Sequence, residues 1–251
     1  MQKIYTQKEI ERWESTNDPI MNSLWYRNKP GIRASGVNIK ITNDEMALLY
    51  RYHRDPVSFI HQYGLVYPGG NRCKPVLTPE QERILMDHDI KRHYPVSLPR
   101  QTGLTSSIKF MALCDIIFGG RDVVLITPRM DKSAGMIRDI MEMYAGLPFY
   151  MKPGVNKMEE VCVRFENGGR LTAWPAGRPM GRNVDVLFID DFQYLDRNNR
   201  ESIFRTWLPV MTSVTSTKIF IGTTGEIPEE LRGIGEFAIF MDGKLDWIRV
   251  K

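Results

Sequence analysis

With 251 residues, 42% of them hydrophobic, the chain is long enough to bury the core of a single α/β domain. Its 34 Lys and Arg against 30 Asp and Glu leave a formal net charge of +4, which suits a polyanion partner without demanding one. The apolar runs at residues 116–118 and 123–126 are too short to span a membrane, residues 1–12 lack a secretory apolar stretch, and Cys73, Cys114 and Cys162 show neither disulfide nor zinc spacing, so a soluble cytoplasmic protein without a membrane partner is expected.

In chain order, residues 6–15 read as a helix, with Thr6 and Glu9 at capping-box spacing. Residues 29–36 read as an exposed basic loop, and residues 42–63 as helices capped by Asn43 or Asp44. The pattern changes near Pro75. Residues 1–74 are expected to form a mostly helical N-terminal lid subdomain, and residues 75–251 a core of short apolar runs alternating with helical segments. Strands are expected over residues 94–98, 123–127, 161–165, 170–174, 184–189 and 218–222, with helices over 105–118, 132–144 and 199–208. Two of the strands flank Asn167, Gly168 and Gly169, which suit a hairpin turn. The others are nearly continuous apolar and β-branched stretches, as in strands buried on both faces of a parallel sheet. The fold class is α/β with a mainly parallel sheet.

Residues 97–106, SLPRQTGLTS, follow a strand and open a helix. Backbone amides at a helix N-terminus present partial positive charge to an anion, and a glycine in the turn lets the chain approach phosphates closely. Gly103 and Thr105 match the glycine and hydroxyl of a P-loop, Thr105 being placed to bind Mg²⁺. Gln101, Thr102, Gly103, Leu104, Thr105 and Ser106 are therefore the candidate phosphate cradle. The first glycine of the pattern falls on Leu98 and its lysine on Leu104. That lysine normally carries charge to the β- and γ-phosphates. Either Arg100 supplies the charge from the other side of the loop, or the site binds nucleotide weakly and hydrolyses it slowly. Lys109 lies more than a turn into the helix and points away. The plainer reading of the segment is an ordinary strand-to-helix corner.

Residues 184–191, VDVLFIDD, are an apolar strand ending in two carboxylates, the form of a Walker B strand. Asp190 would bind Mg²⁺ or its water shell, and Asp191 would orient or deprotonate the attacking water. The alternative is a strand end with both aspartates solvated. The separation from the loop leaves room for an additional strand between the two motif-bearing ones, as in additional-strand P-loop NTPase cores. Residues 218–225, KIFIGTTG, form a further strand ending on Thr223 and Thr224. Those hydroxyls either sense the γ-phosphate and relay its loss, or simply end a strand.

In this order the segments resemble the ATPase domain of tailed-phage large terminases, the motors that pump DNA into a preformed head. The resemblance covers roughly residues 55–235. It is carried by Asp55-Pro56-Val57-Ser58-Phe59-Ile60 leading to Leu77-Thr78-Pro79-Glu80-Gln81, by Arg100-Gln101-Thr102-Gly103, by Gly181-Arg182-Asn183 ahead of the Asp190 strand, and by Thr223-Thr224. It implies an ATP hydrolase that uses ATP and Mg²⁺, with Gln81 at adenine, Arg100 and the loop amides on phosphate, and Thr105 and Asp190 on the metal. Asp191 would stand at the water, and Thr223 and Thr224 would form the coupling motif. Arg178 and Arg182 bracket the expected arginine-finger position, which Met180 occupies. Two departures stand out: Leu104 replaces the usual lysine, and Asp191 replaces the usual glutamate with a carboxylate one methylene shorter.

The implied partners are double-stranded DNA, the portal protein and the small terminase subunit, in the host cell cytoplasm. A homo-oligomeric ring is expected on the procapsid, with a monomer in isolation as the alternative. Family members continue into a nuclease domain, whereas this chain stops at Lys251, so no nuclease domain is expected. The rival readings are a degenerate P-loop domain serving DNA binding or assembly with little or no hydrolysis, which Leu104 favours, and a helicase-like or small-molecule P-loop enzyme.

Overall fold

Caps set the elements at the start of the chain, which the computed structural model describes over residues 3–89, 93–176, 184–203, 217–225, 228–231, 236–241 and 244–249. Strand β1 (Ile4–Thr6) pairs in parallel with β2 (Asn38–Lys40), and Thr6 opens α1 (Gln7–Ser15) through the expected capping box with Glu9. After the short α2 (Met21–Leu24) come α3 (Asn43–Arg54) and α4 (Pro56–Tyr63). The cap of α3 is Thr42, not Asn43 or Asp44, because only Thr42 has a glutamate three residues on, Glu45, to return the hydrogen bond. Pro56 splits the 42–63 stretch: it has no N–H to extend α3, and it sits in the first turn of α4, where Asp55 accepts from Ser58 N at 3.0 Å.

The 29–36 loop is not exposed throughout, since Ile32 and Arg33 are buried. Arg33 donates to Lys152 O at 2.6 Å and Val37 O at 2.5 Å, and pairs with Glu166 at 3.1 Å. The two terminal nitrogens of its planar fork are matched in this way, while the buried Nε has no hydrogen-bond partner. Lys152 is a second buried cation, with its residue 3% exposed. Its ammonium donates to Ala145 O at 2.9 Å and lies 5.3 Å from the Trp25 ring centroid. Burial pushes its pKa down from 10.5 to about 8. Between those two values the unfolded chain binds more protons than the folded one, so this group's contribution to stability rises with pH across that window. A Lys152→Met variant is expected to lose that rise. Denaturant unfolding from pH 8 upward would show the wild type gaining on the variant by at most about 3 kcal/mol.

After Pro75 comes α5 (Pro79–Asp87), a helix the apolar pattern does not predict, although Thr78 and Gln81 form its capping box. Strand β3 (His93–Leu98) leads to α6 (Leu104–Gly119), and β4 (Asp122–Thr127) to α7 (Met130–Ala145). Then follow β5 (Val155–Glu159), β6 (Cys162–Phe165), β7 (Arg170–Pro175), β8 (Val186–Ile189), α8 (Arg197–Ser202), β9 (Lys218–Thr224), β10 (Glu236–Met241) and β11 (Lys244–Arg249). The strands from β3 onward form one sheet in the order β11-β10-β3-β9-β8-β4-β7-β6-β5. From β10 to β7 in that order neighbours run parallel, and β11, β6 and β5 are antiparallel to their neighbours. Strand β9 lies between β3 and β8, as expected of an additional-strand P-loop core.

Several boundaries differ from the sequence reading. The 184–189 strand starts at Val186, and of the 199–208 helix the described part is α8, with residues 204–208 outside the described residues. The hairpin at Asn167-Gly168-Gly169 is present, with Phe165 N donating to Gly169 O at 2.9 Å and Gly168 at φ 91°. Strands β5, β10 and β11 were not expected. The signal for the last two was Asp242-Gly243 between apolar runs, since pairing of Met241 with Lys244 leaves a two-residue connection.

Alternate residues of the central strands serve opposite faces. Val123, Leu125, Val186 and Phe188 join the core under α5, α6 and α7, while Val124, Ile126, Leu187, Ile189, Ile219 and Ile221 pack on the other side with Phe192 and Leu231. A polar clasp closes the end where the strands begin. Buried Asp115, near the end of α6, accepts from Arg121 and stands 2.8 Å from His88 Nε2. Arg121 also reaches Asp89 at 3.1 Å, and Lys218 of β9 donates to Asp89 at 2.8 Å and to His88 O at 3.0 Å.

Candidate functional site

At the opposite end, the carboxyl ends of β3, β8 and β9 meet around one cleft. The 99–103 loop turns from β3 into α6 through two positive-φ residues, Gln101 at 65° and Gly103 at 79°. Position 103 favours glycine because its φ of 79° strains any residue with a Cβ, and a Cβ there would also displace the Gln81 amide, 2.3 Å away. Gln81 is buried and braces the loop from α5: its Oε1 accepts from Thr78 N at 3.0 Å and its Nε2 donates to Gly103 O at 3.2 Å. Thr102 Oγ1 donates to Pro99 O at 2.8 Å, closing the loop on itself. Residues 99–105 line a cleft of about 330 Å³ together with Asp191, Tyr194 and Thr224. Ser106 sits half-buried in the first turn of α6, outside that lining.

The glycine loop and the acidic strand converge. Thr105 Oγ1 donates to Asp190 Oδ2 at 2.9 Å and lies 3.2 Å from Oδ1. The whole of β8 is buried and holds Asp190, 2% exposed, at its carboxyl edge. Burial pushes the Asp190 carboxyl above the usual range, although Lys132 and Thr105 act in the other direction. Asp191 follows with φ 54°, a left-handed conformation that is strained for any residue with a Cβ and turns the chain out of the strand.

Sequence reasoning does not single out two residues that the structure brings here. Lys132 Nζ lies 2.8 Å from Asp190 Oδ2 and also pairs with Asp191. Burial works against its charge, but Asp190 and Asp191 together hold the ammonium above the usual lysine range. It stands in the first turn of α7, whose start is fixed by a 2.7 Å hydrogen bond between Thr127 Oγ1 and Ser133 Oγ. A cation in the first turn of a helix opposes the dipole, and that misplacement was the available signal. Gln193 is the second. Its Oε1 accepts from Thr223 Oγ1 at 3.1 Å and Thr224 N at 3.2 Å, while its Nε2 donates to Thr224 Oγ1 at 2.9 Å and to Asp191 Oδ1 at 3.3 Å. One side chain thus joins Asp191 to the end of β9.

The remaining candidates are distributed around this centre. Arg100 leans on Tyr194 at the mouth of the cleft, 5.5 Å from the ring centroid, and hydrogen-bonds its hydroxyl. Lys109 pairs with Asp139 at 2.9 Å, joining α6 to α7 away from the loop. Arg178 and Arg182 lie outside the described residues. Among the described residues no cluster of three or more His, Cys, Asp and Glu side chains could hold a metal by itself. Thr105 with Asp190 is instead the type of donor pair that holds Mg²⁺ jointly with phosphate oxygens. No helix of the described residues is long and apolar enough to cross a membrane.

No protein-family model and no curated protein matches the chain. Among solved structures, the Thermus phage P74-26 large terminase ATPase domain and a point mutant of it are similar at TM-scores of 0.46 and 0.44, each at 15% identity over 56% of this chain and 62% and 63% of theirs. The HK97 bacteriophage large terminase is similar at a TM-score of 0.52 and 13% identity. That match spans 68% of this chain but only 37% of the HK97 protein. Over about two thirds of its length the chain therefore shares its α/β fold with part of a phage large terminase.

Proposed function

We propose that the chain is an ATP-hydrolysing motor module that drives double-stranded DNA into a viral procapsid in the host cytoplasm, working as a ring with a portal protein and a small terminase subunit. The observation that carries the reading is the hydrogen bond from Thr105 to Asp190, which joins a glycine loop at a helix N-terminus to a buried strand-end carboxylate. The HK97-like fold supports it.

In this reading the loop amides of residues 101–105 cradle the phosphates, and Arg100 at the mouth approaches them from the solvent side. Thr105 and Asp190 would hold Mg²⁺, which when bound offsets the charge that develops on the phosphate oxygens. Asp191 orients a water for in-line attack on the γ-phosphorus. As the water oxygen bonds to phosphorus, the bond from phosphorus to the β–γ bridging oxygen breaks. ADP and inorganic phosphate leave, and the proton of the water passes to Asp191. Gln193 carries the change at Asp191 to Thr223 and Thr224.

The test is phosphate release by the chain with ATP and Mg²⁺, measured alone and with duplex DNA and portal added. Release that requires Mg²⁺ and rises with DNA is expected. Absence of release and of nucleotide binding under all these conditions would overturn the reading in favour of a nucleotide-independent DNA-binding or assembly role.

A further inference from the structure

We infer that Lys132 is the phosphate-binding lysine of this site, supplied from α7 in place of the loop lysine that Leu104 replaces. The inference rests on the nucleotide-site reading above and deepens it.

Leu104 contributes to the cleft lining, but its side chain is directed largely into the core and brings no phosphate-binding donor to the cleft. It is 6% exposed and packs toward β9, where a Cβ built on Gly222 would meet its Cδ2 at 3.2 Å. The next residue, Thr105, is 2.9 Å from Asp190 Oδ2, and Lys132 Nζ is 2.8 Å from the same oxygen. The ammonium is therefore two hydrogen bonds from the start of α6, on the carboxylate that the metal site uses. The other cations fit less well: Lys109 is held by Asp139, and Arg100 stands at the mouth against Tyr194. Lys132 also has room to move, since its side chain is 27% exposed and hangs from a flexible four-carbon stem.

A lysine in an ATP site has to meet two demands, pairing with the carboxylates when phosphate is absent and with the β- and γ-oxygens when it is present. Lys132 meets the first in this structure, and rotation about its stem, from a carboxylate that Thr105 also contacts, is the movement that would meet the second. The exchange would also free Asp191 of the ammonium that pairs with it here.

The test uses the full chain. Calorimetric titration with Mg–ATP, Mg–ADP and AMP compares wild type with Lys132→Met and Lys132→Arg. Loss of one charge-assisted contact to phosphate is expected to raise the Kd for ATP about 10- to 100-fold, with AMP unchanged and the arginine variant within a few-fold of wild type. A purely structural ion pair would not separate ATP from AMP. Because Lys132→Met leaves buried Asp190 without its nearest cation, at a cost to folding, a second measurement uses the wild type. An acyl-phosphate derivative of ATP transfers its acyl group to the amine nearest the terminal phosphate, forming an amide and releasing ATP. Mass spectrometry should find that amide on Lys132, and excess ATP should suppress it. Unchanged ATP affinity in a folded Lys132→Met chain, or ATP-suppressible labelling elsewhere, overturns the inference while leaving the nucleotide site intact. Failure of the wild type to bind Mg–ATP at all overturns the nucleotide reading itself.

Discussion

Replacing Asp190 with asparagine is expected to abolish Mg²⁺-dependent phosphate release, with a loss on the order of 100- to 1000-fold, the range seen when one preorganised electrostatic contact is removed from an active site. The change is nearly isosteric, so it tests charge alone. Asp190 accepts from Thr105 at 2.9 Å and pairs with Lys132 at 2.8 Å. Both bonds fall on Oδ2, so an amide oxygen in that place can still accept from both partners, while the charge that the metal donor pair and the lysine both face is lost. Stability should change far less than rate. Burial already disfavours the charge on Asp190, and Asp191 remains to pair with Lys132. Phosphate release and the thermal midpoint measured on one preparation separate the two effects. A folded Asp190→Asn chain that hydrolyses ATP at the wild-type rate would show that this carboxylate has no part in the chemistry.

The largest effect on stability is expected at the other end of the sheet, from Asp115→Ala. The Asp115 side chain is 1% exposed and is shared by His88 at 2.8 Å and Arg121. Removing one partner of a buried ion pair typically costs about 3–5 kcal/mol; here the deletion takes the buried carboxylate from His88 and one of two carboxylates from Arg121, which keeps Asp89 at 3.1 Å, so the lower end of that range is expected. For a chain of this length that corresponds to a fall in melting midpoint on the order of 10 °C. Asp115→Asn, which keeps a hydrogen-bond acceptor, should lose less. Below its midpoint the alanine variant should retain phosphate release, because the clasp joins the starts of β4 and β9 while Thr105 and Asp190 stand at the strand ends. Equal thermal midpoints for wild type and Asp115→Ala would mean that the clasp is solvated and contributes little.

The parts legible in the sequence are those whose signal is local. The capping box at Thr6 and Glu9, the hairpin at Asn167-Gly168-Gly169 and the fully apolar β8 each announce themselves within a few residues, and the structure contains all three. The contact of Thr105 with Asp190 follows from motif logic. Lys132 and Gln193 do not, because their roles come from meeting residues 59 and 30 or more positions away; the only local mark on either is the place of Lys132 in the first turn of α7, which names no partner. Arg33 defeats local reading in the same way. In sequence it belongs to a basic loop, and two of its three partners, Lys152 and Glu166, lie far along the chain. The antiparallel edge strands were overlooked because β5 exposes much of its length and lacks the apolar continuity that marks the central strands.

Because β9 lies between β3 and β8, the strand that separates the two halves of the cleft is made after both of them. A nascent chain that has emerged only as far as Asp191 holds its glycine loop and its carboxylates but has no backbone to bridge the gap between their strands. Such a sheet must either wait open or pair wrongly and be undone, a topology that slows folding through long sequence separation. Nucleotide competence should therefore arrive late and all at once during synthesis, and fragments truncated before Lys218 should bind no triphosphate even though they carry both motifs.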